Sequence, residues 1–390
     1  MVDRLKRFDW ILFLTMAALI AIGTVFIWSA GNARAEAVFH DSWKSTLATA
    51  LVGLVPYFAL AFADYRKVLG LLAVPAYVVS LLMLVLVLFV GSRIYGGSRW
   101  LWFFQPSEIA KLCVLALVAV LFGGDASPVA RFRTTFRGFL LAAAILGVPV
   151  LLILAEPDLG TALALVPAAV LMVFAAGTWR RGLVTLATVG GLGALFVLGA
   201  VYEAEKPGVP AERRERILRH VPLKPHPVKR VKVFLFPEED VTGAGYNLRQ
   251  AQISIGSGGL TGKGVGRGET NHLKYLPQAI SMNDFIFCVL AEETGFRGSL
   301  VLLGLFGLLL LDGCRVAFRA GDGCGRLFAL GFTTLVFAHV YVNIAMSIGL
   351  VPITGLPLPF ISSGRTFLIV VMCALGLVQS VSIHGKESIC

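Results

Sequence analysis

Apolar residues along this chain fall into runs of about 17 to 25, the length an α-helix needs to cross about 30 Å of hydrocarbon, and not into the shorter amphipathic stripes of soluble helices. The pattern predicts spans over residues 10–30, 45–63, 68–90, 108–122, 139–155, 160–177 and 183–201. After a long polar stretch it predicts three more, over 285–311, 327–350 and 367–383. The implied fold is an all-α membrane protein of about ten transmembrane helices. It is read as one multi-pass membrane domain, 1–390, with a large extracytoplasmic loop, 202–283, between the seventh and eighth helices. No internal repeat, low-complexity tract or attached soluble domain is visible.

Composition narrows the class further. With 57% apolar and 15% charged residues in 390, there is too little polar surface to coat a water-soluble globule. The first run follows Arg4, Lys6 and Arg7 but is too long for a signal-peptide core, so it reads as a retained first helix. The formal charge of +11 raises the question of nucleic acid, but the positive-inside rule absorbs much of it. One set of short loops carries Arg66, Lys67, Arg131, Arg133, Arg137, Arg180, Arg181, Arg315, Arg319 and Arg326, whereas the opposite set carries fewer, Arg34, Lys44, Arg93, Arg99 and Arg365. Both termini are therefore expected in the cytoplasm, with 91–107 and 202–283 outside. The six cysteines fall in spans or cytoplasmic segments, which indicates no disulfide framework.

Four polar stretches need an explanation, because ionisable residues inside spans are costly. The first runs from Gly96 through Arg99 and Trp100 to Glu108 and Lys111. Glu108 and Lys111 share a helix face at i, i+3. An acidic first turn, with Ser107 or Ser98 capping, explains Glu108, but Lys111 lies a full turn into an apolar span. The second is Glu156-Pro157-Asp158-Leu159-Gly160-Thr161. It is either a tight turn with Asp158 capping the next helix or a metal or pyrophosphate site.

The third stretch is the long loop. Arg213, Arg214, Arg216, Arg219, Lys224, Lys229, Arg230 and Lys232 suit an anionic lipid surface as well as a substrate. Residues 256–264 invite comparison with a phosphate-binding loop, but Ser257 and Gly264 stand where a P-loop needs Gly and Ser or Thr. The glycines still permit backbone approach to phosphate or a tight fold over a mouth. The fourth is Asn283-Asp284-Phe285, with Glu292 and Glu293 further along the same run. Asp284 is either a helix cap or a general base at the mouth of an outer cavity.

These stretches resemble the SEDS family (shape, elongation, division and sporulation), membrane glycosyltransferases that polymerise peptidoglycan. The resemblance spans nearly the whole chain and rests on residues 97–111, 156–162, 230–237, 243–264, 284–296 and 342–364. Glu156 to Thr161, Gly245-Tyr246-Asn247 and Gly259 to Gly264 look more like the rod-shape RodA branch than the division FtsW branch. The resemblance implies a bacterial cytoplasmic-membrane enzyme with lipid II as substrate and a class B penicillin-binding protein as transpeptidase partner, and no nucleic acid. It makes Asp284 the catalytic carboxylate, with Arg99, Trp100, Glu108, Lys111, Asp158 and Arg230 lining or supporting its cavity. Two departures stand out: residues 278–283 form a longer segment than usual without its acidic and histidine residues, and Ser362-Ser363-Gly364-Arg365-Thr366 adds a cation at the mouth.

The chemistry suits such residues. A glycosidase needs paired carboxylates because an alkoxide leaving group must be protonated, whereas diphosphate leaves as a stable anion. One base is enough, and cations replace the second acid: Lys111, Arg99 or Arg230, or a divalent ion at Asp158, the only cofactor the residues suggest. A lipid II flippase is the alternative from another class, which predicts polar groups along a path to both faces. A non-catalytic scaffold for the transpeptidase predicts that Asp284 and Lys111 tolerate substitution.

Overall fold

The computed structural model describes residues 6–32, 37–94, 97–101, 104–124, 127, 129–206, 208–221, 225–240, 242–269 and 275–385. Lys224, one of the basic loop residues, lies outside them. The first three helices are α1 (Trp10–Asn32), α2 (Ser42–Phe62) and α3 (Tyr65–Val90). A hairpin, β1 (Ser92–Ile94) and β2 (Gly97–Trp100), precedes α4 (Pro106–Gly123), α5 (Phe136–Ala155), α6 (Leu159–Ala175) and α7 (Arg180–Glu205). The long loop holds α8 (Ala211–Leu218), α9 (Pro225–Leu235), α10 (Ala244–Ser257) and α11 (Gln278–Asn283). The chain ends with α12 (Ile286–Arg319), α13 (Gly323–Ser347) and α14 (Arg365–His384).

Nine of these helices, among the described residues, are long and apolar enough to span a membrane, and α6 is a shorter apolar helix of 17 residues. At about 1.5 Å per residue α6 reaches about 25 Å, enough for a span with little tilt. The chain is thus a multi-pass membrane protein. A short antiparallel hairpin, pairing Ser92 with Trp100 and Ile94 with Gly97, is a local addition to the all-α membrane fold that the sequence predicts. Prolines sit inside α2, α3, α5 and α6. Bundles in lipid tolerate them because neighbouring helices re-satisfy the freed backbone groups.

The core gathers around α4, α13 and α14. Of the most apolar window of α4, 72% is buried, against 6% for α7, so α4 is a central helix and α7 a peripheral one bathed in lipid. α4 packs on α3, α6 and α13, while α14 packs on α2. At the end remote from Asp284, ion pairs tie the helices: Asp322 caps α13 through Gly325 N–H at 2.8 Å and accepts from Arg66 Nε at 2.9 Å. Arg315 bridges Asp9 and Asp312 at the same end.

The long span α12 is broken at Gly295, whose φ of 67° and ψ of −162° lie outside helical space. The glycine-rich segment fills this break. Lys263 and Gly264 donate their N–H groups to the carbonyls of Glu292 and Glu293, at 3.0 and 2.9 Å. Lys263 Nζ pairs with Glu292 at 2.9 Å, Ser254 donates to Glu292 at 3.0 Å, and Gly266 N–H reaches Glu293 at 3.1 Å. Lys263, Gly264 and Gly266 of this segment therefore bind the carbonyls and carboxylates of Glu292 and Glu293 in their own chain. Burial opposes the Lys263 charge, but Glu292 and Glu269 outweigh it and raise its pKa. A Cβ on Gly262, where φ is 78°, would run into the Glu293 carbonyl. Gly262→Ala is expected to destabilise the chain by about 1–3 kcal/mol through overpacking against backbone, read as a lower unfolding temperature in detergent.

Candidate active site

Asp284 sits where α11 ends and α12 begins. Phe285, not Asp284, occupies the N-cap of α12, without a side-chain cap bond, so the capping role suggested by residue type does not fall to Asp284. The backbone of this turn is clamped by the irregular segment 350–364. Ser362 Oγ donates to the Asn283 carbonyl at 2.7 Å, Ser363 Oγ to Asn283 Oδ1 at 2.6 Å, and Ser363 N–H to the Met282 carbonyl at 3.2 Å. The unusual residues of 278–283 are thus the short helix this clamp grips.

Four consecutive residues of the strap, Thr354 to Pro357, bring the site together. The Thr354 carbonyl accepts from Arg230 Nη1 at 2.8 Å, fixing loop helix α9 onto the bundle. Gly355 has φ of 75°, a conformation disfavoured for other residues, and a Cβ there would lie 3.5 Å from Asp284 Oδ2. The Leu356 carbonyl accepts from Asn343 Nδ2 at 2.7 Å, and the same amide donates to the Asp284 carbonyl at 3.0 Å. The Pro357 carbonyl meets His339 Nδ1 at 3.2 Å.

His339 carries the strap's contact onward into α4. Its Nε2 lies 2.9 Å from Lys111 Nζ, which pairs with Glu108 at 2.8 Å. Lysine only donates, so Nε2 accepts and Nδ1 carries the proton given to Pro357. The His339 ring stacks on Phe367 with centroids 4.7 Å apart, and Lys111 stands 5.2 Å over the same Phe367 ring. Lys111 and Glu108 are only 2% and 4% exposed, so they act on the strap from behind.

Asp158 caps α6. Its Oδ1 accepts from Thr161 N–H at 3.2 Å, and its Oδ2 accepts from Thr161 Oγ1 at 2.7 Å and Gln105 Nε2 at 2.9 Å. Gln105, rather than Ser107 or Ser98, occupies the cap position of α4 and ties that helix to the Asp158 turn. A carboxylate surrounded by N–H and O–H donors does not fit a divalent cation, and no group of three metal-ligating side chains gathers among the described residues. The capping reading of Asp158 is what the geometry holds. Close behind it, a Cβ on Gly160 would lie 2.7 Å from the Thr354 carbonyl, which brings this turn onto the strap as well.

Trp100 and the backbone of Arg99 end the hairpin that leads into α4; the Arg99 side chain lies outside the described part. Arg365 opens α14 and is exposed. The basic loop residues divide by partner. Arg214 and Lys232 pair with buried Glu205 at 2.7 and 2.8 Å, and the Glu205 and Glu239 carboxylates raise the Lys232 pKa. Arg213, Arg216, Arg219 and Lys229 stay exposed.

Sequence reasoning missed His339, Asn343 and the strap carbonyls. The first two carried a signal: a histidine and an asparagine four apart within an apolar span, where a polar side chain is a functional-site candidate by default. Asn343→Leu is expected to remove the amide that joins the Asp284 and Leu356 carbonyls and to leave the buried Leu356 carbonyl without it, at about 1–3 kcal/mol. Thermal unfolding measures the loss, and faster hydrogen exchange at residues 354–357 locates it.

A lipid-spanning bundle that gathers a carboxylate, an arginine and a buried ion pair around one strap is the candidate site of a membrane enzyme. The family model described as "Cell cycle protein", covering FtsW, RodA and SpoVE, matches residues 9–387, and the chain belongs to this family, the SEDS proteins. A relative in Trichlorobacter lovleyi, "Probable peptidoglycan glycosyltransferase FtsW", is 35% identical over 388 residues, 97% of this chain and 94% of the relative. Escherichia coli "Peptidoglycan glycosyltransferase MrdB" is 34% identical over 383 residues, again 97% and 94%. Among solved structures, a chain from "Structural coordination of polymerization and crosslinking by a peptidoglycan synthase complex" matches with TM-score 0.74 and 32% identity, covering 98% of this chain and 99% of that one. The Thermus thermophilus rod shape determining protein RodA matches with TM-score 0.66 and 30% identity over 98% of each chain.

Proposed function

We propose that the chain is a peptidoglycan glycosyltransferase that polymerises lipid II on the outer face of the bacterial cytoplasmic membrane, with Asp284 as general base. The observation that carries this reading is the strap, where Gly355 leaves room beside the Asp284 carboxylate while Arg230 grips the preceding carbonyl. In the reaction the sugar 4-hydroxyl oxygen attacks the anomeric carbon of the growing chain and gives its proton to Asp284. The bond from that carbon to the diphosphate oxygen breaks, the electron pair leaves with undecaprenyl diphosphate, and the anomeric centre inverts. Stabilisation of the developing anion is assigned to Arg230, with Arg99 and Trp100 of the hairpin as the further candidates from the sequence. Lys111, Glu108 and Asp158 are positioning residues that hold the strap and the start of α4.

The Lys and Arg distribution supports an outward-facing Asp284 end and cytoplasmic termini, with 202–283 folded as a loop on a single membrane domain, 1–390. A class B penicillin-binding protein is the transpeptidase partner, a reading supported by the likeness to a chain of a synthase complex. The motifs and the RodA neighbour favour cell elongation and shape maintenance. Relatives named for division have comparable identity, so a second assignment to septation has its own support. Complementation separates the two: this chain should restore rod shape in cells depleted of the elongation polymerase, and rescue of septation alone would assign it to division.

The activity itself is tested with purified lipid II, with and without the co-expressed transpeptidase. Glycan strands from the wild-type chain support the reading. Absence of polymer while lipid II still binds and the partner is active moves the flippase or scaffold reading ahead.

A further inference from the structure

A cavity of about 610 Å³ lies away from Asp284, between α1 and α2. On α1 it runs from Phe13 to Trp28, which at about 1.5 Å per residue is a slot of about 22 Å. Its one aliphatic hydroxyl, on Thr24, donates to the Ile20 carbonyl of its own helix at 2.8 Å. A slot so lined offers water too few partners and takes hydrocarbon instead. Contacts of the Phe13 ring with Tyr57 and Phe58 join α1 to α2 at the end remote from Asp284.

The other end is polar and cationic. Trp28 lies 3.9 Å from the position of a Gly266 Cβ, so the exposed Arg267 stands beside this mouth, with no ion-pair partner among the described residues. On the facing wall Lys44 sits 5.8 Å over the Trp43 ring, paired with Asp41 at 2.8 Å. The opposite face of α1 meets the catalytic turn: a Gly31 Cβ would lie 3.3 Å from Met282 Cε, and a Gly23 Cβ 2.7 Å from Ile361 Cα. One helix therefore separates the slot from the residues that clamp Asp284, and the cationic mouth opens at the Asp284 end.

We propose that the α1–α2 crevice holds the polyprenyl tail of a diphosphate-linked substrate lipid, with its diphosphate beside Arg267. This rests on the polymerase reading, whose reaction joins two lipid-linked sugars and so needs tail sites for both. An apolar slot with a cationic rim at the reactive end matches an anionic head on a long hydrocarbon chain, and the side opening to lipid lets the tail enter laterally.

The test uses the full chain in nanodiscs of phosphatidylethanolamine and phosphatidylglycerol, probed with undecaprenyl diphosphate carrying a photoreactive tail. Ala17 and Ala21 line the slot and are exposed, so Ala17→Phe/Ala21→Phe fills it without crowding the core. Labelling of α1 and α2 peptides is expected in the wild type, and the filled variant should lose at least about tenfold in retained probe, as when a methylene-scale change alters an apolar pocket. Arg267→Gln should weaken undecaprenyl diphosphate but not uncharged undecaprenol. Labelling elsewhere, unchanged retention in the filled variant, or equal displacement by phosphatidylglycerol overturns the proposal. The Asp284→Asn chain, which should bind without turnover, keeps the two readings apart. Binding without polymer from the wild type sinks the polymerase and spares the site, whereas full activity at unchanged KM in the filled variant sinks the site and spares the polymerase.

Discussion

Asp284→Asn is expected to lose about 10²- to 10⁴-fold of lipid II polymerisation, the contribution of a positioned general base. Asparagine keeps the shape of the side chain, so the turn between α11 and α12 should persist. Its backbone is held by Asn343 at the Asp284 carbonyl and by Ser362 and Ser363 at Asn283 and Met282, through bonds made to atoms other than the carboxylate. The loss is therefore expected in kcat, with KM for lipid II and the unfolding temperature close to wild type. Glycan strands resolved on a gel at saturating lipid II, beside a melting curve of the same preparation, make the measurement. Full activity would remove the base from Asp284, and a collapsed melting curve would make it a structural residue. The strap supplies an internal comparison, since Gly355 lies against the carboxylate without supplying any chemistry of its own.

The spans were readable because lipid imposes one simple rule on each: enough apolar residues in a row. The predicted runs 10–30 and 367–383 lie within α1 and α14, Trp10–Asn32 and Arg365–His384. The run 285–311 was read as one helix, but the structure extends it to Arg319 and breaks it at Gly295. Gly295 follows Glu292, Glu293 and Thr294, and the break it makes is met by the backbone of the 258–268 segment, a contact distant in sequence that no local pattern encodes. The hairpin before α4 escaped notice because strands of three and four residues have little periodicity to read. Within the site, the i, i+3 spacing of Glu108 and Lys111 foretold their pairing, since a helix puts them on one face. The strap's contacts join residues far apart in sequence, such as Arg230 with Thr354 and Lys111 with His339, and no local pattern encodes them. The P-loop comparison failed on spacing, and the structure gives the reason for the glycines: they admit close backbone contact with Glu292 and Glu293.

Lys111→Met alone should cost about 3–5 kcal/mol of stability, because it strands the Glu108 carboxylate in a site that excludes water. Glu108 is 4% exposed, and its partner at 2.8 Å is Lys111. Replacing both, Glu108→Gln/Lys111→Met, removes the stranded charge along with the pair and should recover most of that stability, since a buried pair offsets its own desolvation only in part. The cycle also separates support from catalysis. In the double variant His339 Nε2 loses the donor that holds its tautomer, and with it the firm contact of Nδ1 to the Pro357 carbonyl. The strap then drifts beside Asp284, and a displacement of the order of 1 Å costs about 10²-fold in rate. A double variant that melts like wild type yet polymerises lipid II about 10²-fold more slowly at unchanged KM identifies the pair as the positioning device for the strap. One that regains both stability and rate reduces it to packing, and the link from α4 through His339 to Asp284 falls with it.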